Sequence, residues 1–348
     1  MFSMIQLSYK GYQIKGGVKM TERENYLALL NHEPVEWVPN VFMAACFCGG
    51  ADETFENGPA GGGEDGFGCR WHATKSANGQ PVPEPNFQVL SDVTAWEDVV
   101  KFPDLDKFDW EEMAARQMAA FDRNNQVLEY HSWNSQFLRL THLMGFEDGL
   151  CALYEEPEAC YDLMGAITDH KIRIIERAYK YFKPDVFVNY DDVATERNLF
   201  ISRSTYQELI KPHHKRMNDA AKAYGMMPVQ HCCGYCQDLM EDFIDEGAVA
   251  WQAAQPSNDI VEIIRRYGDR FSVIGGYDTQ GIPGMPSASA EQVVQEVRRC
   301  MDTYGKIGKG YSFMGFLLAE TGDKDADMKM GLMMQEAVKQ GHAVLAKP

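Results

Sequence analysis

From residue 127 to residue 314, short runs rich in β-branched and aromatic residues alternate with helical stretches, and this alternation restricts the possible folds more than any other feature. The runs cover 127–130, 186–190, 227–230, 248–251, 271–276 and 311–314; helical patterns fill 156–181, 204–224, 236–246, 258–267 and 290–304. Strands kept apart by helices of this length predict parallel strands joined by crossovers, so the fold class is α/β. An open doubly wound sheet and a closed barrel both give such a pattern. Polar, chemically competent residues follow several successive runs, whereas an open sheet gathers its ligands at one switch point. The expectation is therefore a (β/α)8 TIM barrel, a fold that takes about 250 to 400 residues as one unit and so suits a chain of 348.

Upstream, Thr21 followed by Glu22 and Glu24 predicts a helix start, and Pro34 predicts its end before His32. A first strand is expected over 37–43. Residues 1–19 carry Lys10, Lys15 and Lys19 among mixed residues and lack the apolar block of an export signal. They read as a disordered N-terminal extension, followed by an N-terminal helical extension and a single barrel domain over 20–348. The Gly-, Asp- and Glu-rich segment 49–68 reads as a long loop, suited to act as a lid that excludes water, and Phe67 to Trp71 as a turn leading into a strand. No GxGxxG or GxxxxGK[ST] pattern follows a strand there, so a nucleotide fingerprint is set aside.

Charge excludes further classes. Lys plus Arg number 33 against 51 Asp plus Glu, a formal net charge of -18, which repels phosphate backbones and anionic lipid. Nucleic acid and membrane are not expected partners, and no run approaches the roughly 18 apolar residues of a membrane helix. Nine cysteines, with Cys46/Cys48 and Cys232/Cys233 in close pairs, fit a reducing compartment better than a disulfide framework. The expected location is cytoplasmic.

Candidate chemistry sits after the strands. His231-Cys232-Cys233-Gly234 ends the third run, where an imidazole and a thiolate two residues apart can face one point and suit zinc, against a plain alternative of small core cysteines and a structural histidine. Asp191 and Asp192 end the second run; adjacent carboxylates repel, which can raise one pKa into the range of acid-base work, while a cap or a loop ion pair with Arg197 or Arg203 is the simpler role. Asp278, after Gly275-Gly276-Tyr277, has similar standing as a catalytic acid or a turn cap. His131, Trp133 and Asn134, with Tyr190 and Gln252, are candidate substrate contacts, Trp133 offering a flat face. The 19 methionines read as core filler.

Taken together, these segments resemble the uroporphyrinogen decarboxylase superfamily. The resemblance rests on Thr21-Glu22-Arg23-Glu24, Asn31-His32-Glu33-Pro34 with Val38-Pro39, Phe67-Gly68-Cys69-Arg70-Trp71, Glu156-Pro157-Glu158, Asp191-Asp192 with Ile201-Ser202, His231-Cys232-Cys233-Gly234 and Gly275-Gly276-Tyr277-Asp278-Thr279-Gln280, in that order. It implies a β/α barrel. Residues 39–50 hold no Arg or Lys, unlike the haem-pathway decarboxylases that grip a tetrapyrrole's carboxylates there, so the methyltransferase branch is the closer likeness. That branch implies a zinc held by a His-x-Cys pair and a later Cys. His231 and Cys233 match the pair, but no Cys follows Cys300, and Glu320 is the expected third ligand, with Asp191 or Cys236 as alternatives. The implied activity is methyl transfer between a small methylated or methoxylated compound and a corrinoid carried by a partner protein. A uroporphyrinogen decarboxylase, or a non-catalytic barrel binding a tetrapyrrole or partner, are the alternatives.

Overall fold

A computed structural model describes residues 20–50, 53–73, 81–320 and 322–346; the expectation for residues 1–19 lies outside the described residues. The chain is mixed α/β and divides into two compact units. One comprises Cys48–Ala119 and Glu129–Ala248, the other the chain up to Phe47 with Ala120–Leu128 and Val249–Pro348. Among the described residues no helix is long and apolar enough to cross a membrane.

Ten strands follow one another along the chain: β1 (Ala45–Gly49), β2 (Gly62–Glu64), β3 (Arg70–Ala73), β4 (Pro81–Pro83), β5 (Val127–Ser132), β6 (Val186–Tyr190), β7 (Met227–His231), β8 (Ala250–Ala254), β9 (Ser272–Gly276) and β10 (Tyr311–Met314). In the first unit β5 from Glu129 onward, β6 and β7 pair in parallel, with Glu129 opposite Val186, His131 opposite Val188 and Tyr190 opposite His231. Every residue of β5 and β6 is buried, as parallel strands covered on both faces require. The 25-residue helix Pro157–Tyr181 follows β5 after two shorter helices and buries Cys160, Leu163, Met164, Ile167, Ile174, Ile175 and Ala178, the three-and-four spacing of one helical face. It packs on the helix Lys211–Ala223. Ahead of that helix, Tyr206–Ile210 forms a π-helical turn. Pro212, which lacks an N–H, follows at the second position of Lys211–Ala223 and leaves the preceding turn short of a donor.

In the second unit β8, β9 and β10 are likewise parallel, with a bulge between Gln252 and Ala254 that puts Ala253 at φ 66. Gly275, at φ +145, admits this: a Cβ there would meet the Ala254 nitrogen at 2.6 Å. The helices Ala290–Thr303 and Lys324–Leu345 pack together, and Met330, Met333 and Met334 are buried, which fits core filler. The helix Glu22–Leu30 starts at the expected Thr21 in a full capping box with Glu24.

Two expectations are corrected. The strand foreseen over 37–43 is a single parallel bridge from Asn40 to Phe313, followed by a helical turn Val41–Ala44 and only then β1. The Asn40 side chain accepts from the Phe42 amide at 3.1 Å, and an Asn cap starts a helix rather than continuing a strand. The segment 49–68 is not all loop: Gly62–Glu64 pairs antiparallel with β3, which pairs with β4. Nor are its described residues from 53 on loosely held. Glu56 and Asp65, both buried, take Lys171 at 2.6 Å and Arg139 at 2.6 Å, and Arg139 also donates to the Glu56 carbonyl at 2.7 Å. Opening this segment as a lid would strip two buried ion pairs.

Removing one partner of such a pair leaves an uncompensated buried charge and costs about 3–5 kcal/mol, whereas replacing both is close to neutral. Lys171→Met should therefore lower unfolding stability in urea by about that amount, and Lys171→Met with Glu56→Gln should recover most of it. A double variant no more stable than the single would disprove the buried charge as the cause.

Candidate metal and active site

Side chains on a strand alternate between its faces, and at the end of β6 this alternation separates the two neighbouring aspartates. Asp192 shares a side with Tyr190, and Asp191 takes the opposite one. At the end of β7, His231 and Cys233, two residues apart, come together likewise. The β6–β7 register, Tyr190 opposite His231, brings the two sets side by side. Asp192, His231 and Cys233 each offer one ligand atom, and the three atoms lie within 4.8 Å of one another. The Cys233 sulfur is 3.5 Å from His231 Nε2, and the Cys233 amide donates to Asp192 Oδ1 at 2.7 Å. Gly234 completes the turn at φ +86, where a Cβ would strike the Thr195 carbonyl oxygen at 2.4 Å; that same oxygen accepts from the Tyr235 amide at 2.7 Å.

Burial pushes the Asp192 carboxyl up to about 6, with the Asp191 charge adding to it and the Cys233 amide opposing it. Burial and the neighbouring Asp192 push the Cys233 thiol well up. An oxygen, a nitrogen and a sulfur donor facing one point form a set that zinc accepts, three protein ligands being the pattern of sites that keep a position open. Tetrahedral bonds of about 2.0–2.3 Å place ligand atoms roughly 3.3–3.8 Å apart, and the sulfur–nitrogen separation of 3.5 Å falls in that range. The chemistry of the three donors fits the metal.

Aromatic rings back His231. Tyr190 stacks on it with centroids 3.8 Å apart and planes at 18°, and Trp133 stacks on the other side of the row, 4.2 Å from Tyr190 at 20°. The Tyr190 hydroxyl meets His131 Nδ1 at 2.8 Å, and His131 Nε2 meets Glu129 Oε2 at 3.2 Å. A carboxylate only accepts, so Nε2 carries the proton and Nδ1 accepts from the phenol. Burial holds the Tyr190 phenol well above its usual pKa, in the form that donates.

Asp191 is engaged elsewhere. Its oxygens accept from the Phe137 and Leu138 amides at 3.0 and 2.9 Å, in the first turn of the helix Gln136–Met144, whose own Ser135 makes no side-chain cap. His214 Nε2 lies 2.8 Å from the same carboxylate and His214 Nδ1 3.5 Å from Glu246, which accepts from the Tyr206 hydroxyl at 2.5 Å. Burial disfavours charge on His214, yet the hydrogen bonds to Asp191 and Glu246 prevail and push it up to about 9. Asn134, at φ 53, donates to the Glu56 carbonyl at 2.8 Å and to Asn57 at 3.1 Å. The structure thus gathers Asp192, His231, Cys233, Tyr190, His131 and Trp133, and gives Asp191 and Asn134 other partners in the same unit.

Gln252, Asp278 and Glu320 lie in the other unit. Gln252 is buried on β8. Asp278 accepts from the Gln280 and Gly281 amides at 3.2 and 2.7 Å, the turn cap weighed as its simpler role. Glu320 is exposed and is not in the cluster, whose third corner is Asp192. Sequence reasoning missed Glu129, His214, Glu246 and Lys171. The Glu129-x-His131 spacing on a strand was a readable signal, since residues two apart share a face. The others act across the helix layer and leave no local mark.

The family profile described as uroporphyrinogen decarboxylase matches residues 80–314, about two thirds of the chain. No curated protein matches it by sequence. Among solved structures, a methyltransferase from Methanosarcina mazei superposes with a TM-score of 0.66 over 92% of this chain and 99% of its own, at 12% identity. A protein from Sinorhizobium meliloti 1021 gives 0.40 at 12% identity, over 66% and 83%. A D-psicose 3-epimerase from Clostridium cellulolyticum H10 gives 0.36 at 11%, over 69% and 83%.

The raised pKa of His214 predicts a pH signature. A histidine whose folded pKa is raised contributes stability that is complete below its unfolded value of about 6.5 and is lost as pH rises, here through about 9. His214→Gln should cost about 3–5 kcal/mol near pH 6, and the gap to the wild type in urea unfolding should narrow by pH 9.5. A gap independent of pH would show that His214 is held neutral.

Proposed function

The chain belongs to the uroporphyrinogen decarboxylase family, and on that premise we propose that it is a metal-dependent methyltransferase on a (β/α)8 barrel, exchanging a methyl group between a small methylated or methoxylated compound and a corrinoid carried by a partner protein. The observation that carries the reading is the Asp192, His231 and Cys233 cluster at the ends of two neighbouring parallel strands, where barrel enzymes keep their chemistry. The fold likeness to the Methanosarcina mazei methyltransferase supports the same branch. Two further observations support it over the decarboxylase. Residues 39–50 bring no Arg or Lys for a polycarboxylate, and the buried Lys171 and Arg139 side chains are already bound to Glu56 and Asp65.

On this reading His231, Cys233 and Asp192 hold zinc, and a bound zinc supplies Lewis-acid polarisation of the heteroatom that carries the methyl group. The remaining roles belong to the protein. Deprotonated Asp192 and Cys233 would together bring two negative charges, matching a divalent cation, and neutral His231 completes the set. Trp133, half-buried at the end of the ring row, offers the substrate an apolar face and is fixed through its carbonyl, which accepts from Lys171. Asp192, expected from sequence as an acid, serves here as the third ligand.

Elemental analysis of protein purified without added metal should find about one zinc per chain, the stoichiometry of a mononuclear site, and His231→Ala, Cys233→Ala and Asp192→Ala should each lose it. Loss in the first two but not in Asp192→Ala would assign the third ligand elsewhere. The wild type should also convert cob(I)alamin to methylcobalamin with some member of a panel of methoxylated and N- or S-methylated compounds, followed by absorbance. No zinc after reconstitution, together with release of carbon dioxide from uroporphyrinogen, would overturn the reading in favour of a decarboxylase.

A further inference from the structure

Metal-binding histidines are usually oriented by a hydrogen-bond acceptor behind the ring, and losing such support costs about 10–100-fold in metal affinity. His231 is also backed on its face. Tyr190 covers it at 3.8 Å and 18°, close to parallel contact, and Tyr190 is itself fixed from two directions: by Trp133 at 4.2 Å and 20°, and by its hydroxyl on His131, which in turn rests on Glu129. We infer that Glu129, His131 and Tyr190 form a positioning relay that holds the His231 ring in its ligating orientation. The inference rests on the metal reading of the site and adds to it which residues set the ring.

The relay follows from strand register. His131 stands opposite Val188 on β6, two residues before Tyr190, and Tyr190 stands opposite His231 on β7. Glu129 and His131 are two apart on β5 and share its face. The hydrogen bonds run in series, each fixing the next: the Glu129 carboxylate sets the proton on His131 Nε2, this leaves Nδ1 as the acceptor, and Nδ1 fixes the angle of the Tyr190 phenol. Glu129, His131 and Tyr190 are buried, with exposures of 1%, 4% and 6%, so water does not compete freely for these contacts. None of the three sits in the metal cluster. They are positioning residues rather than ligands.

A series arrangement has a signature that loss of packing does not share. Tyr190→Phe removes the hydroxyl and keeps the ring, and Glu129→Gln keeps the shape and alters the acceptor. Each should weaken binding of zinc alone, read by competition with a chromophoric chelator, by about 10-fold. The double variant should be no weaker than the weaker single, because both break one chain; independent structural damage would multiply the losses. A second readout needs no metal. In protein labelled at histidine, the His231 ring protons lie over the face of Tyr190 and should resonate upfield, moving downfield in Tyr190→Leu. Multiplicative losses in the chelator assay, or a His231 signal indifferent to Tyr190→Leu, would overturn the relay. A wild type that takes up no zinc but keeps the upfield His231 signal, lost in Tyr190→Leu, would sink the metal reading and leave the ordering of the ring intact.

Discussion

The pairing of β6 with β7, Tyr190 against His231, is where two periodicities meet. Along each strand side chains alternate, and across a parallel pair equivalent positions stand side by side. One register therefore decides several contacts at once. It stacks Tyr190 on His231, sets Asp192 and Cys233 beside each other one step further on, and turns Asp191 to the opposite side. A slip of one residue would exchange the roles of the two aspartates and separate the nitrogen, sulfur and oxygen donors. The chemistry proposed for this chain is in that sense a property of the ladder before it is a property of any one side chain.

What keeps the strand ends in place is polar and buried. Asp191 caps the helix Gln136–Met144 from outside its own chain segment and binds His214, which binds Glu246. Ser132 at the end of β5 and Lys171 on the helix Pro157–Tyr181 converge on Glu56, and Lys171 also holds the Trp133 carbonyl. Charges buried in this way add little net stability relative to well-packed apolar groups. Their geometry, however, is specific. Each network ends on a residue adjacent to a member of the site: Asp191 beside Asp192, and Ser132 and the Trp133 carbonyl beside His131 and the Trp133 ring. The networks thus trade stability for the placement of strand ends, where small displacements matter most.

The strand and helix alternation was legible because both periods are local, and β6, β7, β9 and β10 fall within a residue or so of their expected bounds. His231 and Cys233 were legible for the same reason, being two residues apart at a strand end. The third corner was not. Asp192 was visible as one of two acids, but only the parallel register carries it to His231, and register is a long-range fact that one sequence does not display. Segment 49–68 misled in another way. Its glycines and acids read as a loop, while Glu56 and Asp65 find their counterions at Lys171 and Arg139, 115 and 74 residues away. Composition reports a residue's solubility; it does not report its partner.

On the metal reading, the donor set separates this chain from the pattern it resembles. The methyltransferase branch adds a late cysteine to the His-x-Cys pair, and here no cysteine follows Cys300. With Asp192 in the third corner, a carboxylate oxygen replaces a thiolate sulfur. The formal charge of the set is unchanged, since each contributes one negative charge, so attraction for a divalent ion is preserved. The softness of the set is not. One thiolate in place of two leaves more positive charge on the metal, and a carboxylate admits harder ions than a thiolate does. On the metal reading, this chain's centre would polarise a substrate heteroatom more strongly than a two-thiolate centre and hold a soft thiolate less firmly. That shift favours donors that leave through oxygen or nitrogen over partners that bind through sulfur.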